Sequence, residues 1–302
     1  MDPRLEQPLS MPSSARSALW LRSLSRLPFG LLYAGAALLI VLMRDVLRWR
    51  VRIARDNLSR SFPELPQAQI NTLLRAFYWQ LGQVTVEFFK MASMSSDELR
   101  ARFRVRNIER VHAETAAGRS VLLLAAHQCN WEWALQGTTL HLQVPLDAAY
   151  KPLRGSGSDR QLRILRCRFG AHLIAAKRLL REVVRRRRDV RAVALMADQM
   201  PASSGGRIWL KFLGRDTAFY PGPGEIAHMT GYAAFFVAMR RVHRGYYELD
   251  YQPISGAQER LTPEQFTQRY ARAVEQQVRL QPANWMWLHR RWKGQPPPST
   301  PN

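Results

Sequence analysis

Two residues in this chain have the types and spacing to move a proton. They are His127 and Glu132, within Val121-Leu-Leu-Leu-Ala-Ala-His-Gln-Cys-Asn-Trp-Glu-Trp133. A carboxylate beside an imidazole orients the ring and stabilises its protonated form, which makes a general base near neutral pH. On one continuous helix, positions i and i+5 point about 140° apart, so the two side chains would not touch. They meet if His127 lies in the turn leaving a strand and Glu132 in the first turn of the next helix. Asn130 suits the N-cap of that helix, and Glu132 then sits near its positive end. Cys129 is the rival chemistry, a thiol nucleophile two residues from a histidine. In a strand-to-helix turn, however, the two side chains point in different directions.

That placement needs a scaffold of strands and helices, and the chain supplies one. Short apolar runs at 120–126, 144–150, 171–175, 192–197, 233–239 and 246–252 read as strands. Helical stretches fill 130–140, 158–168, 176–188, 223–230 and 263–280. Upstream, 44–60 reads as a basic helix, Ser61-Phe-Pro-Glu-Leu-Pro66 as a break, and 67–91 as a helix with apolar residues from Ile70 to Phe88 at helical spacing. A helix from Asp97 to Arg102 and a short strand from Phe103 to Val105 precede the alternation. Alternating strands and helices imply an α/β sandwich with a mixed, largely parallel sheet flanked by helices. Reactive groups in such sheets gather at the carboxyl ends of strands. His127 follows one strand, and Asp198-Gln199 follows another.

The amino-terminal segment Leu27–Met43 runs for seventeen residues without a charge. At 1.5 Å per residue it spans about 26 Å, and snorkelling by Arg26 and Arg44 extends it to a membrane-anchor helix. A signal peptide would need a small-x-small cleavage site, which is missing where the run meets Met43-Arg-Asp-Val-Leu-Arg-Trp-Arg50. Arg44, Arg48, Arg50, Arg52 and Arg55 follow the run closely, so the positive-inside rule places the body on the cytoplasmic face. The expected organisation is a tail over 1–18, an anchor over 19–44, a body over 45–293 and a disordered proline-rich tail over 294–302.

The charge balance is 45 Lys+Arg against 23 Asp+Glu, a formal +22, which implies an anionic partner. Two cysteines, Cys129 and Cys167, are too few for a disulfide framework and fit a reducing compartment. The arginines cluster at Arg160, Arg163, Arg166 and Arg168, and again at Arg181 and Arg185–Arg188. Guanidinium groups bind phosphate bidentately, which makes the first cluster the candidate, whereas the second reads as a solvated helix end. Nucleic-acid binding would call for aromatics interleaved with the basic residues. The tryptophans are scattered, apart from Trp285-Met-Trp-Leu-His-Arg-Arg-Trp-Lys293, which reads as an interfacial segment or a packed plug.

Several ordered motifs accompany the His127-x4-Glu132 box. They are Arg52-Ile-Ala-Arg-Asp-Asn-Leu58, Phe62-Pro-Glu-Leu65, Tyr150-Lys-Pro152, Arg166-Cys-Arg-Phe-Gly170, Ala197-Asp-Gln199, Phe212-Leu-Gly214 with Thr217, Ala227-x2-Thr-Gly231 and Trp287-Leu-His-Arg-Arg-Trp-Lys293. Over residues 18–293 this ensemble resembles the late acyltransferases of lipid A biosynthesis. The resemblance implies a glycerolipid-acyltransferase-like sandwich at the bacterial inner membrane. It also implies transfer of a fatty acyl chain from acyl carrier protein to a hydroxyl of a phosphorylated glycolipid, without metal or cofactor. In that reading His127 is the general base and Glu132 orients it. Arg166 and Arg168 contact phosphate or headgroup, and Asp198 and Gln199 line the same cleft. Acylation of another glycolipid or aminolipid, a hydrolase, and a non-catalytic basic membrane tether are the alternatives.

Overall fold

In the computed structural model, residues 23–153, 156–201 and 206–294 are described. The expected terminal tails lie outside them, apart from Gly294. After helical residues 23–26 comes an apolar helix, α1 (Phe29–Val41), which runs on through a π-helical turn, Leu42–Val46. Together they form one helix of 18 residues, apolar and long enough to cross a membrane by length and composition. The sequence expectation of one helix over 44–60 does not hold. Arg48 and Arg50 both take left-handed backbone angles (φ 48° and 53°), which turn the chain before α2 (Val51–Ser61). After the Pro-containing break comes α3 (Gln67–Lys90), 24 residues long.

One face of α1 (Leu32, Tyr33, Ala36, Ile40) is buried, while Leu31, Leu38 and Val46 are exposed. Close approach to α3 depends on Gly82, where a Cβ would come within 2.3 Å of Ile40 Cγ1. A larger residue there would have to push the helices apart.

The body alternates as expected: α4 (Ser96–Arg100), β1 (Phe103–Arg106), α5 (Ile108–Ala116), β2 (Val121–Ala125), α6 (Trp131–His141), β3 (Leu146–Tyr150), α7 (Ser156–Arg166), β4 (His172–Ala175), α8 (Leu179–Arg185) and β5 (Ala192–Met196). Helix α8 is shorter than the 176–188 expected. A 3-10 turn at Ala176–Arg178 precedes it, and Arg186 leaves the helix to reach Asp147 at 3.3 Å, beside Arg191 at 2.5 Å. A hairpin not anticipated from sequence follows, β6 (Ile208–Phe212) and β7 (Arg215–Phe219), turning through Leu213 and Gly214 at positive φ. The chain then forms α9 (Gly222–Thr230), β8 (Ala233–His243), β9 (Tyr246–Ser255) and α10 (Pro263–Leu280), the last begun by a Thr262/Gln265 capping box.

Seven strands make one mixed, mostly parallel sheet in the order β1-β9-β8-β2-β5-β3-β4. β8, β2, β5, β3 and β4 run parallel, while β9 is antiparallel to β8 and β1 follows β9. Central strands buried on both faces read as continuous apolar runs, as Val121-Leu-Leu-Leu does. One face packs against α2, α3, α9, α10 and the carboxy-terminal tryptophans. The other packs against residues of α5, α6 and α7. β2 and β5 are neighbours with Ala125 opposite Met196, so His127 and Asp198 leave the sheet side by side.

Candidate active site

His127 stands in the turn between β2 and α6, as the residue spacing requires. Asn130 caps α6, accepting from Trp133 N at 3.0 Å, and Glu132 lies in the first turn. The turn is tight, with Cys129 at φ 51° and fully buried, its thiol pushed up to about 12 by burial. A thiol so held stays protonated and away from any substrate, which removes it as a nucleophile.

The partner of His127 differs from the one expected. Its Nδ1 lies 2.7 Å from Asp198 Oδ1, and its backbone N–H donates to Asp198 Oδ2 at 3.0 Å. Trp285 Nε1–H also donates to Asp198 Oδ2, at 2.9 Å. Glu132 instead accepts a bidentate pair from Arg166, Nε to Oε2 at 2.8 Å and Nη2 to Oε1 at 2.5 Å. Trp131 Nε1–H adds a third donor to Glu132 at 3.2 Å. The correction has a physical basis. A planar guanidinium matches a carboxylate in two places and takes Glu132 to the α7 side, whereas Asp198 arrives on the strand next to β2.

Burial alone would push the His127 imidazole down, but the Asp198 charge and hydrogen bond outweigh it, with a smaller upward push from Glu132. The net direction is upward. Burial would push Asp198 up, and the imidazole, its N–H donors and Trp285 hold it below the usual carboxylate range instead. With Nδ1–H committed to Asp198, Nε2 carries the lone pair that can accept a proton.

Beneath the histidine lies a cavity of about 340 Å³, within the range of small-ligand pockets. His127, Trp131, Glu132, Arg166, Lys151 and Gln199 line it, and its walls include Leu123, Ala134, Ala148 and Ala194. Polar groups therefore converge on one end of an apolar slot between the sheet and α6. Among the residues expected to bind substrate, Arg166 and Gln199 line this cavity, and Asp198 backs His127. Arg168 does neither: its guanidinium donates to the Met91 carbonyl and stacks over Phe169 at 5.1 Å. Among the described residues no group of three His, Cys, Asp or Glu side chains could hold a metal ion.

Sequence reasoning missed the clamp around the histidine. Met286 N donates to His127 O at 3.0 Å, and Cys129 N donates to Asn284 O at 2.8 Å. Tyr270 OH donates to Ala125 O at 2.8 Å and accepts from Ala197 N at 3.2 Å, stitching β2 to β5. The signal was the tryptophan cluster, which proves to be a plug: Trp285 and Trp287 are buried, and Asn57 Nδ2 donates to the carbonyls of Trp287 at 2.8 Å and His289 at 3.0 Å. Phe62 packs edge-on against Trp287 at 5.9 Å, and Trp292 Nε1 donates to Thr217 Oγ1 at 2.7 Å. Asn57, Phe62, Thr217 and Trp287, drawn from distant motifs, thus meet in one structural unit behind Asp198.

The model of the bacterial lipid A biosynthesis acyltransferases matches residues 8–294. The chain belongs to that family. It is 24% identical over 280 residues to the lipid A biosynthesis palmitoleoyltransferase of Escherichia coli (strain K12), covering 90% of this chain and 88% of that protein. It is equally similar, 24% over 280 residues, to a lipid A biosynthesis acyltransferase of Shigella flexneri, with the same coverage of 90% and 88%. Membership in the family makes the protein a transferase of acyl groups.

Proposed function

We propose that this acyltransferase moves a fatty acyl chain from an acyl carrier protein thioester to a hydroxyl of a lipid A precursor at the membrane, with His127 as general base. One observation carries the reading: an imidazole clamped at Nδ1 by a buried carboxylate stands at the mouth of an apolar slot. The acyl chain occupies the slot, and the thioester carbonyl lies beside His127. Nε2 takes the proton of the acceptor hydroxyl as its oxygen attacks that carbonyl, and Asp198 stabilises the imidazolium. The tetrahedral intermediate collapses by breaking the carbon–sulfur bond, and the departing thiolate recovers the proton from Nε2. Glu132 and Arg166 wall the mouth as a pair, and the Glu132 charge adds to the proton affinity of His127.

The exposed side of α1 enters the bilayer, while its other side stays on α3. Leu38 and Val46 are 75% and 67% exposed, although both are apolar, and burying them in lipid is favourable. The arginines after α1 then face anionic headgroups on the cytoplasmic side. The +22 charge suits both proposed partners, an acidic carrier protein and a phosphorylated glycolipid.

Purified protein incubated with acyl carrier protein thioester, with and without lipid A precursor, tests the reading. The expected result is thioester loss that requires the precursor, with the precursor gaining the mass of one acyl chain. Thioester loss independent of the precursor would mark a hydrolase instead. Salt-sensitive vesicle binding without thioester loss would mark a tether.

A further inference from the structure

The lining of the slot below His127 reaches Leu146 on the sheet and Thr138 on α6. Along the sheet face that lines it, Leu123 and Ala125 on β2, Ala194 and Met196 on β5, and Leu146, Ala148 and Tyr150 on β3 follow the period of two that a strand imposes, while Leu195 and Ala149 border the cavity from between them. The register sets their depth. Leu123 is level with Ala194, and Ala194 with Ala148, while Leu146 is level with Ala192 and so with Val121. Leu146 therefore lies one full pleat repeat deeper than Ala148. On the opposite wall, α6 descends from Glu132 at the mouth to Thr138, six residues or about 9 Å down. Thr138 is held in place by Tyr251, whose OH donates to Thr138 Oγ1 at 3.1 Å. Leu146 and Thr138 are both buried, at 1% and 4% exposure, so neither is a mouth residue. The room between the walls comes from alanines: Ala125, Ala148 and Ala194 on the sheet face Ala134 on α6.

Resting on the acyl-transfer reading, we propose that Leu146 and Thr138 form the floor of the acyl slot and select a donor of medium chain length. From the level of Ala125 to that of Leu146 is four strand residues, about 13 Å. A staggered chain with bonds of about 1.5 Å advances about 1.3 Å per carbon, so that depth takes about ten carbons, and the carbonyl end beside His127 brings the chain to about twelve. This is shorter than the palmitoleoyl group in the name of the Escherichia coli relative. The alanines are the second specificity element, because a larger side chain at the level of Ala194 raises the floor. Ala194 lines the slot between its register partners Leu123 and Ala148, about midway between the levels of Ala125 and Leu146.

The test is a one-pot competition among saturated acyl carrier thioesters of about eight to about eighteen carbons, read as the ratio of product masses, so that losses in total activity cancel. Discrimination at an apolar wall is about tenfold or more per methylene. The wild-type protein is expected to peak near twelve carbons. Leu146→Ala is expected to move the peak to longer chains, and Ala194→Leu to shorter ones. Leu146→Val replaces Leu146→Ala if the larger cavity prevents folding. A wild-type peak at sixteen carbons or longer, or a profile unmoved by both variants, would overturn the proposal. The same variants are titrated with free fatty acids of graded length by native mass spectrometry. Shifted binding optima without any transfer would leave the floor standing and refute the acyl-transfer reading; unshifted optima would refute the floor.

Discussion

A histidine that accepts a proton at Nε2 needs its other nitrogen committed, and Asp198 supplies that commitment. The carboxylate accepts from the ring at 2.7 Å, is itself buried, and is held by Trp285 and by the His127 backbone. Its charge raises the protonation midpoint of His127 above the ordinary value, even against burial. The proposed base must be the neutral ring, so kcat/KM is expected to fall on the acid side as pH drops through that raised midpoint. Asp198→Asn removes the charge, and the acid limb is then expected to move to lower pH. The amide can also favour the wrong tautomer, so the plateau rate falls by about 10²–10⁴. A pH–rate profile on acyl carrier thioester checks both effects, and an unmoved limb would show that Asp198 does not set the proton affinity. His127 was legible from its position after an apolar run, and Glu132 from its spacing. The pairing was not legible, because two carboxylates, one in the first turn of α6 and one after β5, compete for one imidazole, and only the position of Arg166 decides which is free.

At the scale of elements, the histidine turn is gripped from behind by the plug, which donates to His127 O and accepts from Cys129 N. Asn57 on α2 ties that plug down through two carbonyls, and Trp285 within it reaches Asp198. Asn57→Ala would leave the buried Trp287 carbonyl without its donor, while His289 O keeps the Arg291 N–H, at a cost of about 1–3 kcal/mol. That corresponds to a fall of about 2–12 °C in Tm for a domain of this size. Thermal unfolding in detergent measures it, with kcat falling more than KM rises because the loosened part lies behind the base. An unchanged Tm would show that α2 does not anchor the plug. Strand and helix identities followed from periodicity and apolar runs. The β6–β7 hairpin did not, since Leu213 at positive φ carries none of the usual asparagine or glycine signal, and only Gly214 hints at the turn.

On the scale of the molecule, an apolar helix with one buried and one exposed side packs on a basic body, and a slot opens at the sheet's carboxyl edge. The parallel core could be read from alternation, and the edge that carries His127 and Asp198 from the residues after two strands. The slot could not, because it arises where small residues of neighbouring strands, Ala148 beside Ala194 with Ala125 one pleat repeat above, come together with Ala134 of α6, a coincidence of register that no single segment displays. The central claim is that His127 moves the proton in a transfer that consumes thioester only when the glycolipid acceptor is present. Single-turnover transfer by His127→Ala in lipid vesicles tests it most directly. The expected result is a loss of about 10²–10⁴ in rate, with vesicle association and thermal unfolding unchanged. Transfer at a near-wild-type rate by that variant would contradict the account.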